Sequence, residues 1–163
     1  MLLVGAACAA APTAAPAASN PIGSVIAVPM NISGAVPPVC QLPFSAEGKP
    51  CADTGQPVTM TPAQVTTLDG VLADPATWGG DEAKCTLPLH GFVWLDDAGR
   101  VRQQLAVSLL CDKVEGAPAV PGQPAAPAVR GISEVGATAL RALCADAGLP
   151  HCHISEPGQA FGR

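Results

Sequence analysis

Tyrosine is absent from this chain, and three Phe and two Trp are the only aromatic residues among 163. So few rings exclude a surface built to stack bases. The eight Lys and Arg are scattered, against thirteen Asp and Glu, for a formal charge of −5. That balance excludes the electrostatic footprint of nucleic-acid binding and a polybasic membrane patch. The first 46 residues carry no charge at all; Glu47 is the first. They hold no transmembrane helix either, because Pro12, Pro16, Pro21 and Pro29 interrupt every window of the roughly 20 residues a span needs. Gly-x-Ser-x-Gly, P-loop and dinucleotide fingerprints are missing too.

What is present starts with Leu2, Leu3 and Val4, a short apolar run that turns small at Gly5-Ala6-Ala7 before Cys8. Ala6-Ala7-Cys8 resembles the end of a bacterial lipoprotein signal, in which the cysteine is acylated and becomes the mature N-terminus. Gly5 stands where Leu is usual, and no Lys or Arg precedes the run. The expectation is lipid attachment at Cys8; the alternative is cleavage after Ala18 or Ser19, giving a soluble periplasmic or secreted protein. Residues 1–20 then read as signal and Ala/Pro tether. Residues 21–39, uncharged and broken by Pro and Gly, read as an extended apolar linker or an edge strand around Val25–Val28. Asn31-Ile32-Ser33 is a formal glycosylation sequon with no meaning expected in a bacterial chain.

Residues 40–155 read as one small α+β domain, an antiparallel hairpin flanked by two helices, with 156–163 as a tail. Thr61-Pro62-Ala63-Gln64 predicts a capping box with Pro in the first turn, and Val65, Leu68 and Leu72 give one apolar stripe. Asp74-Pro75 ends that helix. Gly91–Leu95, a turn at Asp96-Asp97-Ala98-Gly99, and Val101–Cys111 predict a β-hairpin. Its second strand alternates Val101, Gln103, Leu105, Val107, Leu109 and Cys111 with Arg102, Gln104, Ala106 and Ser108, the pattern of a half-buried strand. Residues 116–130 read as a Pro/Ala surface loop. Ser133 caps a second helix with a stripe at Leu140, Leu143 and Cys144, stopped by Gly148-Leu149-Pro150.

Six cysteines follow Cys8: Cys40, Cys51, Cys85, Cys111, Cys144 and Cys152. An even set in a small domain with a thin aliphatic core predicts disulfide staples and an oxidising compartment, each bridge contributing roughly 2–4 kcal/mol. Fifteen pairings are possible; the sequential one is preferred. A one-residue bulge at Gly99 would set Cys85 opposite Cys111 across the hairpin.

Three other constellations compete with that framework. His151-Cys152-His153, completed by Cys144 or His90, offers soft ligands for zinc or copper, but two imidazoles one residue apart are not a regular zinc spacing. Cys85 with His90 has the residue types of a thiol–imidazole pair, without a recognisable orienting group; the plain alternative is a histidine opening a strand and bonded to the backbone. Asp96-Asp97 lacks calcium-loop spacing and reads as a solvated turn.

The run Cys85-Thr86-Leu87-Pro88-Leu89-His90-Gly91, with the strand, the Asp/Gly turn and Cys111 after it, resembles a pattern in uncharacterised bacterial exported proteins and lipoproteins. The resemblance covers residues 61–150 and implies fold and compartment, with no activity attached. Relatives commonly carry a second cysteine three residues after the strand-ending one; Val114 stands there, which counts against a shared metal site. The functional expectation is a cell-envelope, outer-membrane lipoprotein facing the periplasm, a non-enzymatic structural or interaction protein without cofactor. It would meet the membrane through its anchor, contact an envelope protein partner and bind no nucleic acid. The alternative is periplasmic metal binding through His151, His153 and His90.

Overall fold

The described residues build a six-stranded antiparallel sheet with two helices on one face, so the α+β class stands. The computed structural model describes residues 22–35, 37–79, 87–117 and 129–154. The strands are β1 (Ile22–Pro29), β2 (Val58–Thr59), β3 (His90–Asp96), β4 (Val101–Ser108), β5 (Lys113–Ala117) and β6 (Val129–Gly131). Their order in the sheet is β2-β1-β3-β4-β5-β6. The helices are α1 (Pro62–Ala73) and α2 (Glu134–Asp146).

Both helices start as their sequences dictate. Thr61 and Gln64 exchange the reciprocal bonds of a capping box, and Ser133 caps α2 through Gly136 N–H. Leu68 and Leu72 of α1 meet Leu140 and Leu143 of α2 in one core. Beneath them lie Val25, Ala27, Phe92, Trp94, Leu105 and Val107, the alternate residues of β1, β3 and β4. Gly136 permits the close approach of α2 to the turn after α1: a Cβ there would meet the Thr77 carbonyl oxygen at 2.5 Å.

The opposite face differs from expectation. Gln104, Ala106 and Ser108 are buried, so β4 is covered on both sides. The segment from Met30 to Cys51 covers Gln104 and Ala106, while Ser108 Oγ donates to Leu87 C=O at 2.8 Å. Met30, Cys40 and Ala106 form a second apolar cluster, with Leu42 and Cys51 against it. Phe44 N–H donates to Gln104 Oε1 at 2.8 Å, and Gln104 Nε2 donates back to Phe44 C=O at 3.0 Å. The Pro43 ring occupies the space a Cβ on Gly91 would need. An alternating strand looks half-open because the covering loop lies more than fifty residues away in the chain.

Residues 21–39 were expected as linker or edge strand. Residues 22–29 form β1, which pairs with β3 along its length and with β2 only at Ile26 and Ala27. The segment is thus part of the domain, partly open on its β2 side. β5 and β6 flank the expected 116–130 loop, of which 118–128 lie outside the described residues. The hairpin turn is not simply solvated. Asp96 is buried; its Oδ1 accepts from Ala98 N–H and Arg100 N–H, both at 3.0 Å, and its Oδ2 meets the Arg100 guanidinium at 2.8 Å. The Arg100 backbone bond is the chief cause holding the Asp96 carboxyl below its ordinary value. Its oxygens are committed to the turn rather than offered to calcium. Gly99, at φ +74, supplies the left-handed position.

The register also departs. Next to the turn Leu95 pairs with Val101, the register a one-residue bulge at Gly99 gives; a further shift between Trp94 and Leu95 then moves the rest of the ladder, which ends at His90↔Val107. That ladder runs one residue out of the register that would set Cys85 opposite Cys111. Cys111 sits past β4, in the turn before β5, and is disulfide-bonded; Cys85 lies outside the described residues.

Asn31 joins the covering segment to the sheet. Its side chain is fully buried. Nδ2 donates to Cys40 C=O at 2.9 Å and to Pro88 C=O at 2.7 Å, and Oδ1 accepts from Cys40 N–H at 2.8 Å. With every polar atom used, it is closed to glycosylation. Its φ of 49° is one that Asn tolerates better than most residues. Asn31→Ala leaves three buried backbone groups unpaired, at about 1–3 kcal/mol each. A loss of about 3 kcal/mol or more is expected in urea unfolding. Asn31→Gly accepts the backbone angle without making the bonds and should lose nearly as much; a glycine variant of wild-type stability would show that conformation, not hydrogen bonding, is what matters.

Candidate functional site

The end of α2 and the start of β3 bring three chemically distinctive side chains together. α2 closes with Leu149 N–H donating to Cys144 C=O at 3.1 Å, and Gly148 takes the left-handed position at φ +70. Leu149 enters the core. His151, at φ 65, turns the chain so that Cys152 returns to the helix. Cys152 there forms a disulfide with Cys144, their Cα atoms 5.6 Å apart.

His90 lies under this turn. As the first residue of β3 it shares a face with Phe92 and Trp94, and it is 1% exposed. Its Nε2 lies 2.7 Å from the Pro150 carbonyl oxygen. A carbonyl only accepts, so the proton belongs on Nε2 and the lone pair on Nδ1. Nδ1 is buried and has no hydrogen-bond partner. A ring nitrogen of His90 and the sulfurs of Cys144 and Cys152 lie within 4.8 Å of one another. Burial pushes the His90 pKa down; the Pro150 bond opposes this, and the charge of His151 adds to it.

The other expected residues distribute around this centre. Cys40 and Cys51 form a disulfide that closes the covering segment. His151 is half-buried and His153 exposed; both border, with Cys152, an open cleft of about 440 Å³. His90, not that pair, lies against the sulfurs of Cys144 and Cys152 among the described residues. The expected thiol–imidazole pairing placed His90 with Cys85, which lies outside the described residues, as does Cys8. The sequence carried a usable signal for the observed grouping. His90 is in phase with Phe92 and Trp94, and Cys144 is in phase with Leu140, so both point to the same layer. A second open cleft, about 520 Å³, lies between the 44–48 turn and Arg100–Arg102. Its charged side chains are Glu47, Arg100 and Arg102, and its one hydroxyl is that of Ser45, with no histidine or cysteine in the lining.

Comparison of the chain with protein-family models, curated proteins and solved structures finds no match.

Because the folded imidazole resists protonation, the unfolded chain takes up its proton first as pH falls. The His90 contribution to stability is therefore complete above about pH 6.5 and is lost as pH drops from there toward the folded value. Urea midpoints between about pH 7 and 5 should fall for wild type and be flatter for His90→Asn. An identical slope in the two proteins would remove His90 as the source.

Proposed function

We propose that this chain is a bacterial cell-envelope lipoprotein, anchored through Cys8, whose folded domain acts by contact with an envelope partner rather than by catalysis. The observation that carries the reading is the state of the sulfurs. Cys40, Cys51, Cys111, Cys144 and Cys152, all the described cysteines, are disulfide-bonded. Such a framework belongs to an oxidising compartment, where a thin aliphatic core gains most from covalent closure. The uncharged segment before β1 has the composition of a tether, and the apolar run before Cys8 that of an export signal. The thiol-enzyme reading loses its support where it can be followed. His90 is sealed from solvent, and the sulfurs beside it are already bonded to each other.

Exposed apolar side chains favour contact as the mode of action. Ile32 and Val39 project from the loop between β1 and the first disulfide, and Ile22 from the start of β1. Metal binding remains the second reading. With Cys152 oxidised, His151 and His153 alone offer two imidazoles, too few to organise a selective site.

Expression with a labelled fatty acid tests the anchor. Wild type should carry label and partition with membranes, while Cys8→Ser should lose the label and appear in the soluble fraction. An unlabelled wild type with a mature N-terminus near residue 19 or 20 would replace lipidation by soluble export. Peptide mapping without reduction should return Cys40–Cys51 and Cys144–Cys152 from the native protein, and free thiols at those four positions would remove the oxidised framework.

A further inference from the structure

We propose that His90, Cys144 and Cys152 form a latent zinc site that opens when the Cys144–Cys152 disulfide is reduced. The inference goes beyond the contact function above and holds whether or not Cys8 is lipidated.

The first support is distance. The three ligand-bearing atoms lie within 4.8 Å of one another. Tetrahedral zinc, with Zn–S near 2.3 Å and Zn–N near 2.0 Å, holds its ligand atoms about 3.5–3.8 Å apart. Once the S–S bond no longer ties the sulfurs, shifts on the order of 1–2 Å convert one arrangement into the other. The Cα atoms stand 5.6 Å apart, and Cys152 sits in a turn beyond the helix stop, so one ligand rides on α2 and the other on the turn that follows it.

The second support is the imidazole. A metal-binding histidine typically gives its other N–H to a carbonyl or carboxylate, which fixes the ring and the tautomer. His90 already does this through Nε2 and Pro150, leaving a buried Nδ1 lone pair with nothing to accept. An unpaired buried acceptor is costly, and a metal is one partner that would satisfy it. Third, Cys152 borders the open cleft it shares with His151 and His153, so one of the two sulfur-bearing residues lies next to open space.

The chemistry balances with a dithiol donor as the reductant. Its two thiols pass two electrons and two protons to the S–S bond, which breaks to two cysteine thiols while the donor closes to a disulfide. Zinc then displaces both thiol protons to solvent, forming two Zn–S bonds and one Zn–N bond to Nδ1. Reoxidation reverses the sequence and ejects the ion. The oxidised protein therefore does not bind, and the reduced one does.

The test uses the full chain and cobalt(II) as a spectroscopic stand-in for zinc, with a phosphine reductant that adds no thiol of its own. Circular dichroism reports the fold throughout. Reduced wild type should bind one equivalent and show a sulfur-to-cobalt charge-transfer band that zinc abolishes. The oxidised protein should show none. Cys144→Ser/Cys152→Ser, reduced alike, keeps the remaining cysteines as an internal control and should show none. His90→Ala should keep the band but weaken binding about tenfold or more, while His151→Ala/His153→Ala should bind like wild type. Three results overturn the site: a band that survives in the double serine variant, an affinity unchanged by His90→Ala, or a wild type that loses its fold on reduction and does not recover it with zinc.

Discussion

Covering both faces of the β3–β4 hairpin is the constraint on which the rest of the domain depends. The two helices close one face with aliphatic side chains. Among the described residues no helix covers the other, and a loop does it. A loop brings unpaired backbone groups with it, and these need partners once buried. Asn31 and Gln104 supply them. Gln104 pairs with both the N–H and the C=O of Phe44, and Asn31 serves Cys40 and Pro88 together. Two side-chain amides thus make the hydrogen bonds that a further strand would otherwise make.

The disulfides act on the same constraint from the covalent side. Cys40–Cys51 closes the covering loop over 11 residues, and Cys144–Cys152 ties the chain after α2 back to that helix over 8. Chain-entropy arguments give about 2.5–3 kcal/mol for loops of this length. Against the 5–15 kcal/mol typical of a whole domain, two such closures are a large share. They sit where regular secondary structure is thinnest. A core with few aromatics gains more from them than a ring-rich one would, since each large ring buries roughly 150–250 Å².

Local signals in the sequence were legible and distant ones were not. Thr61, Pro62 and Gln64 spell out the start of α1, and Gly148 marks the end of α2, because each acts within a turn of its own position. The hairpin could be read from its alternation and from Gly99. The fate of Gln104, Ala106 and Ser108 could not, because burial of that face is decided by residues 30–51 and by Leu87. The bulge at Trp94–Leu95 was missed for a similar reason. Asp96 captures Arg100 and tightens the turn, and nothing in a run of Asp, Asp, Ala and Gly says which carboxylate will be taken inside. His90 lies between the two cases. Its face follows from Phe92 and Trp94, but its neighbours follow from where α2 stops.

His90 is also where the energetics point away from pure architecture. Its Nε2–H serves the Pro150 carbonyl, a useful bond worth about 1 kcal/mol net. Its unpartnered Nδ1 costs about 1–3 kcal/mol for desolvation. The cost equals or exceeds the gain. Stability alone therefore gives little reason for an imidazole at this position. An imidazole that carries an unmet acceptor and holds a ring nitrogen within 4.8 Å of two sulfurs is arranged for a partner that arrives when the sulfurs part, and the geometry at the foot of α2 makes sense as the resting state of that exchange.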